Sequence, residues 1–137
     1  MTRSRATAKA AGTRFETLMA RWFALRLSDD RIERRTKNGA QDRGDLTGLR
    51  TIRGGRVVAE LKDHGGRVMV KPWLDEAEAE RANDDAVIGV VIAKRRGIGD
   101  PSQQLVMMTA EAFALLLEGG PDTRPVVVLD PMTAQAA

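Results

Sequence analysis

Asp45, Glu60 and Lys62 lie within "GDLTGLRTIRGGRVVAELKDHGG" and are of the types that hydrolyse phosphate esters. "VVAEL" has the apolar character of a buried strand, yet it carries Glu60 and runs into Lys62. Side chains alternate along a strand, so Glu60 and Lys62 share one face while Ala59 and Leu61 share the other. Two carboxylates, Asp45 and Glu60, with the backbone carbonyl of Leu61 form a hard oxygen set suited to Mg²⁺. A cation held there would bind a phosphodiester oxygen, lower the pKa of a water and stabilise charge growing in the transition state. Lys62 would orient the water, help to deprotonate it or neutralise charge; all three roles stay open.

A shared cation constrains the hairpin between Asp45 and Glu60. A two-residue turn at Gly54-Gly55 would set Asp45 opposite His64, about four residues or roughly 13 Å from Glu60. For Asp45 to face Glu60, the hairpin must centre between Ile52 and Arg53, with a loop of about six residues ending in the glycines. The expectation is therefore the wider loop.

The elements that position these residues read as one domain in a chain of 137 residues. Residues 1–11 are small and basic and are expected to form a flexible arm. Phe15, Leu18, Met19, Trp22 and Phe23 follow the spacing of an amphipathic helix reaching Leu27, with Thr13 and Glu16 as a capping box. "DRIERR", "DLTGL" and "RVVAELK" read as strands, and "KPWLDEAEAERAN" as a helix with proline in its first turn. "AVIGVVIAK" is apolar enough for a central strand. "LVMM", the helix "TAEAFALLLEGG" and a last strand "RPVVVLD" complete a mixed sheet flanked by helices.

Net charge is only +3, but the basic residues cluster. Arg34, Arg35, Lys37 and Arg43 lie near the proposed site, and Lys94, Arg95 and Arg96 follow the central strand, so both groups are candidates for phosphate contacts. With no tyrosine and 4% aromatic residues, a base-stacking platform is not expected. The absence of cysteine excludes thiol chemistry and cysteine zinc sites. Neither phosphate-loop pattern occurs, so no nucleotide cofactor is expected. No apolar run would span a membrane, and the expected location is the cytoplasm. Asp42 reads as a solvated loop residue, Glu76 and Glu80 as surface charge on the second helix, His64 as a turn residue, and Trp22 and Trp73 as packing residues.

"GDL" followed by "VVAELK" resembles the PD-(D/E)XK nucleases, with Asp45 as the first acid and Glu60-Leu61-Lys62 as the (D/E)-X-K element. The likeness runs from about Gly12 to Phe113 and is strongest at 38–62 and 73–96. It is closest to the archaeal-type Holliday-junction resolvases, especially their homologues in actinobacteria and phages, which would place a phage-encoded copy in the host cytoplasm. The resemblance implies a restriction-endonuclease-like fold over 12–120 and adds Glu16 to Asp45, Glu60 and Lys62 as catalytic residues. It implies Mg²⁺, with Mn²⁺ as a substitute, and a homodimer that cuts four-way DNA junctions. Nucleases of flaps, ends or duplex share these motif residues, and a non-cleaving DNA-binding protein of the same fold is the third reading. The proline of the motif's name is replaced by Gly44, and the resemblance assigns no role to residues 121–137.

Overall fold

Helix α1 (Arg5–Arg26) begins well before its apolar stripe. Ser4 caps it, the hydroxyl accepting the Thr7 N–H at 3.1 Å, and the alanine-rich turns that follow have high helix propensity. Residues 5–11 are thus helical, which corrects the expectation of an arm, and Arg3 before them pairs with Asp63 at 3.3 Å. Ala11, Phe15 and Met19 recur every four residues and are buried. The computed structural model describes residues 3–36, 42–121 and 130. Lys37 and nearly all of the expected last strand lie outside them.

Two short strands, β1 (Glu33–Arg34) and β2 (Leu46–Thr47), pair antiparallel. Strands β3 (Val57–Lys62), β4 (Ile88–Ala93) and β5 (Leu105–Met107) form a sheet in that order, with β3 parallel and β5 antiparallel to β4. Helix α2 (Val70–Asn83) connects β3 to β4, and α3 (Ala110–Leu117) follows β5 with Thr109 as its cap. The result is a single α/β domain with mixed pairing and, among the described residues, three helices. None of them is long and apolar enough to cross a membrane.

The two faces of the sheet divide by strand alternation. Ala59 and Leu61 of β3 and Ile88, Val90 and Ile92 of β4 pack with Phe15 and Met19 of α1 and Ala112 of α3. Val91 and Ala93 face the other way, onto Trp73 and Ala77 of α2. Glu60 pairs in register with Val91, and Lys62 with Ala93, so both project toward α2. The approach of that helix depends on Gly89, where a Cβ would lie 2.7 Å from the Ala77 carbonyl oxygen.

The hairpin before β3 takes neither expected form. Thr51 donates its N–H to Gly55 O at 2.8 Å, closing the turn around Ile52, Arg53 and Gly54. Arg50 pairs with Arg56, and Val57 N–H bonds Leu49 O at 2.9 Å. Continued, this register would set Asp45 opposite Leu61. Instead Asp45 donates its N–H to Ala59 O at 2.9 Å, a slip of two residues. The slip is absorbed where Leu46 and Thr47 turn to pair with β1, next to Gly48 at φ 90°.

Candidate metal centre

The slip sets the side chain of Asp45 over the open edge of β3. The residue is 3% exposed, and its Oδ2 accepts the Leu61 N–H at 2.8 Å. Because N–H and C=O of one strand residue point to the same side, the Leu61 carbonyl also leaves on this edge, away from β4. Glu60 is held on the α2 face, 5% exposed, with its Oε1 3.1 Å from Lys62 Nζ. The ammonium also donates to Glu76 Oε2 at 2.8 Å and lies 5.9 Å from the Trp73 ring centre.

Across from Glu60 stands Glu80, one turn beyond Glu76 on α2 and 1% exposed. Carboxylate oxygens of Glu60, Glu80 and Asp42 lie within 4.8 Å of one another. Glu60 Oε2 and both oxygens of Glu80 are buried and meet no hydrogen-bond donor other than a proton carried by the pair itself. Burial pushes Glu60 up to about 8, with Glu80 adding to the rise and Lys62 opposing it. Burial likewise pushes Glu80 up to about 7, against its contact with Glu60 and with the negative fields of Asp42, Asp45 and Glu76 adding to the rise. Two like charges in one dry site cannot both be ionised cheaply, so without a cation the pair retains a proton near neutrality.

This arrangement suits a hard divalent cation. The orphaned oxygens are the donor type Mg²⁺ selects, and Asp42 opens the cluster to solvent. Burial lowers Lys62, but Glu76 and Glu60 outweigh it and hold the ammonium above its ordinary value. Lys62 is therefore held as a positive charge beside the carboxylates.

The predicted residues meet only in part. Glu60 and Lys62 come together as strand alternation requires, and Asp45 lies close enough to act on Glu80. Glu16 sits on α1, which packs on the opposite face of the sheet, and its carboxylate accepts the Nε–H of Arg34 on β1. Glu80 and Asp42 are the members that sequence reasoning passed over. The spacing of Glu76 and Glu80 by one helical turn was the available signal for the first, whereas Asp42 comes near through the Asp45 slip, its backbone carbonyl accepting Asn83 Nδ2 at 2.9 Å. His64 packs edge-on to Trp73 with ring centres 5.0 Å apart, and burial lowers its pKa.

The basic residues separate into two settings. Arg35 makes a two-pronged contact with Asp84 at 3.2 and 3.3 Å, and with Arg43 it lines a groove beside β2. Lys94 donates to the carbonyls of Arg95 and Ile98, and Arg95 to that of Gln103, which ties them into their own loop. Arg96 stays exposed at the end of β4, where Gly66 packs against its Cβ. Compared with protein-family models, characterised proteins and solved structures, the chain matches none.

Proposed function

We propose that this protein is a Mg²⁺-dependent endodeoxyribonuclease of the restriction-endonuclease-like fold that hydrolyses phosphodiester bonds in branched DNA. The observation that carries the reading is the cluster of buried, donor-less carboxylate oxygens of Glu60 and Glu80 beside a lysine held as ammonium. Structural carboxylates in a core are paired or hydrogen-bonded, because leaving them bare costs several kcal/mol, roughly 2–7 for a polar group alone. Here they converge on one another, as ligands for a cation do. Glu60, Glu80 and Asp42 would hold Mg²⁺ or Mn²⁺, with Asp45 and the Leu61 carbonyl on the adjoining edge. When bound, the ion supplies Lewis-acid stabilisation of a phosphoryl oxygen.

The chain's own residues do the rest. Lys62, fixed between Glu60 and Glu76, neutralises charge gathering on the phosphate. Asp45, anchored on the Leu61 N–H, keeps a negative field at the cation site. A four-way junction is the substrate that the likeness to junction resolvases supports, and paired cuts across it call for a homodimer.

Incubating the protein with a labelled junction, a flap and a duplex, in Mg²⁺ and in EDTA, tests the proposal. Symmetric metal-dependent nicks in the junction are expected. Cutting of flap or duplex alone replaces the junction with a related nuclease substrate, and DNA binding with no metal-dependent cutting of any form overturns the enzymatic reading.

A further inference from the structure

One turn beyond Glu80, Asp84 ends α2 at the wall of a groove of about 410 Å³. Five arginines line it, Arg31, Arg35, Arg43, Arg50 and Arg56, and Asp84 is the only carboxylate among the lining residues. They come from three separate stretches of chain, and basic clustering in the sequence pointed to Arg31, Arg35 and Arg43 but not to Arg50 or Arg56. Gly48 closes the floor, because at φ 90° a Cβ there would stand 2.7 Å from Arg31 O.

The contacts within the groove leave its charge largely uncompensated. Asp84 is occupied by the two terminal nitrogens of Arg35, whose Nε is buried with no hydrogen-bond partner. Arg50 spends a hydrogen bond on the Gly54 carbonyl, and Arg56 on the carbonyls of Asp84 and Asp85, all of them neutral acceptors. Arg31 is balanced by Asp29 at 2.9 Å. The C-terminal end of α2 would repel an anion, but Arg56 donates to the carbonyls of its cap, Asp84, and of Asp85 just beyond, and sets a positive charge there. Guanidinium forks converging on one concavity match the tetrahedral oxygens of phosphate.

We infer that this groove is a second, non-catalytic phosphate site that holds a backbone phosphate of the bound DNA. The inference rests on DNA as the substrate proposed above, and its test is read by binding in EDTA, independently of cleavage. Inorganic phosphate shares the chemistry and forms a separate arm.

Anisotropy of a labelled four-way junction is measured across a salt series for the wild type, Arg31→Gln/Arg50→Gln, Arg31→Lys/Arg50→Lys, and Arg21→Gln/Arg26→Gln, which removes equal charge from α1. The groove glutamine variant should bind several-fold more weakly, with a log–log salt slope shallower by up to about 0.9, the loss of one phosphate contact. The lysine variant should keep the slope, showing that the fold survives, and the α1 variant should keep both slope and affinity. An unmoved slope in the groove glutamine variant, or an equal loss in the α1 variant, overturns the inference. So does a third outcome, in which inorganic phosphate raises the melting temperature only when Arg31 and Arg50 are present while DNA binding stays unchanged, because the groove is then a free-oxoanion site.

Discussion

The seam between β3 and α2 has matched ends and a mismatched middle. At one end Lys62 meets Glu76, and at the other Arg56 meets the main chain at Asp84 while Arg35 meets its carboxylate. Between them Glu60 faces Glu80, acid against acid, both buried. Matched pairs of this kind add little net stability, since desolvation offsets the attraction. The middle pair is worse, because without a cation the two carboxyls can stay together only by keeping a proton. A seam built only for stability would place apolar side chains there, as Val58 and Ala77 do nearby. The difference separates what holds the helix in place from what the helix is placed to do.

The largest effect expected from breaking the middle is catalytic. Glu60→Gln removes a charged ligand while keeping the shape, and metal-dependent nicking should fall by at least about 10²–10³-fold, the range for losing one electrostatic stabiliser of a transition state. Junction binding in EDTA should be unchanged. Glu76→Gln, at a matched end, should lose far less, and equal losses in the two variants would erase the distinction between rungs.

The same mismatch predicts how stability depends on pH. Folded-state values of about 8 for Glu60 and about 7 for Glu80 lie above the ordinary 4.5. Between about pH 4.5 and 7 the folded protein keeps protons on both carboxyls that the unfolded chain has released, and between about 7 and 8 it keeps the one on Glu60, so stability falls as pH rises through that window, more gently in its upper part. The slope is about 1.4 kcal/mol per pH unit for one retained proton. Thermal melts in EDTA should record this loss, Glu80→Gln should flatten it, and Mg²⁺ should raise the melting temperature more at pH 8 than at pH 5.5 because the cation displaces the proton. A flat profile for the wild type would mean that the two carboxylates are not sharing a dry site.

Gly89 controls how closely α2 approaches. Gly89→Ala puts a methyl 2.7 Å from the Ala77 carbonyl oxygen and must push the helix outward, at about 1–3 kcal/mol of stability. If the middle rung is the site, nicking should fall by more than the loss of folded protein explains, which activity measured well below the melting temperature will show.

Much of this seam was legible in the sequence because it follows from local rules. Alternation put Glu60 and Lys62 on one face, and the apolar run at 88–93 gave a central strand. The single α/β domain followed from the order of elements. What the sequence hid depends on tertiary contact. Glu80 reads as surface charge on a polar helix until the sheet it covers is known, and the closeness of Asp42 depends on a two-residue slip that no local pattern marks. The start of α1 was lost for a different reason: Ser4 caps a segment with no apolar stripe, so propensity rather than periodicity carried the information.

The smallest effect belongs to the matched end at Lys62. Glu76→Gln removes one of two carboxylates that hold the ammonium, leaving Glu60 at 3.1 Å. Glu76 is partly exposed, so the stability change should be within about 1 kcal/mol, as for other partly solvated ion pairs. Lys62 is already charged near neutrality, so a moderate fall in its pKa leaves its protonation there unchanged. Nicking should therefore drop only a few-fold at pH 7, with the deficit widening as the medium is made more alkaline and the less supported ammonium gives up its proton sooner. A deficit that stays constant as pH rises would show that Glu76 positions Lys62 without setting its charge, and a deficit that shrinks with pH would make Lys62 the base rather than the fixed cation.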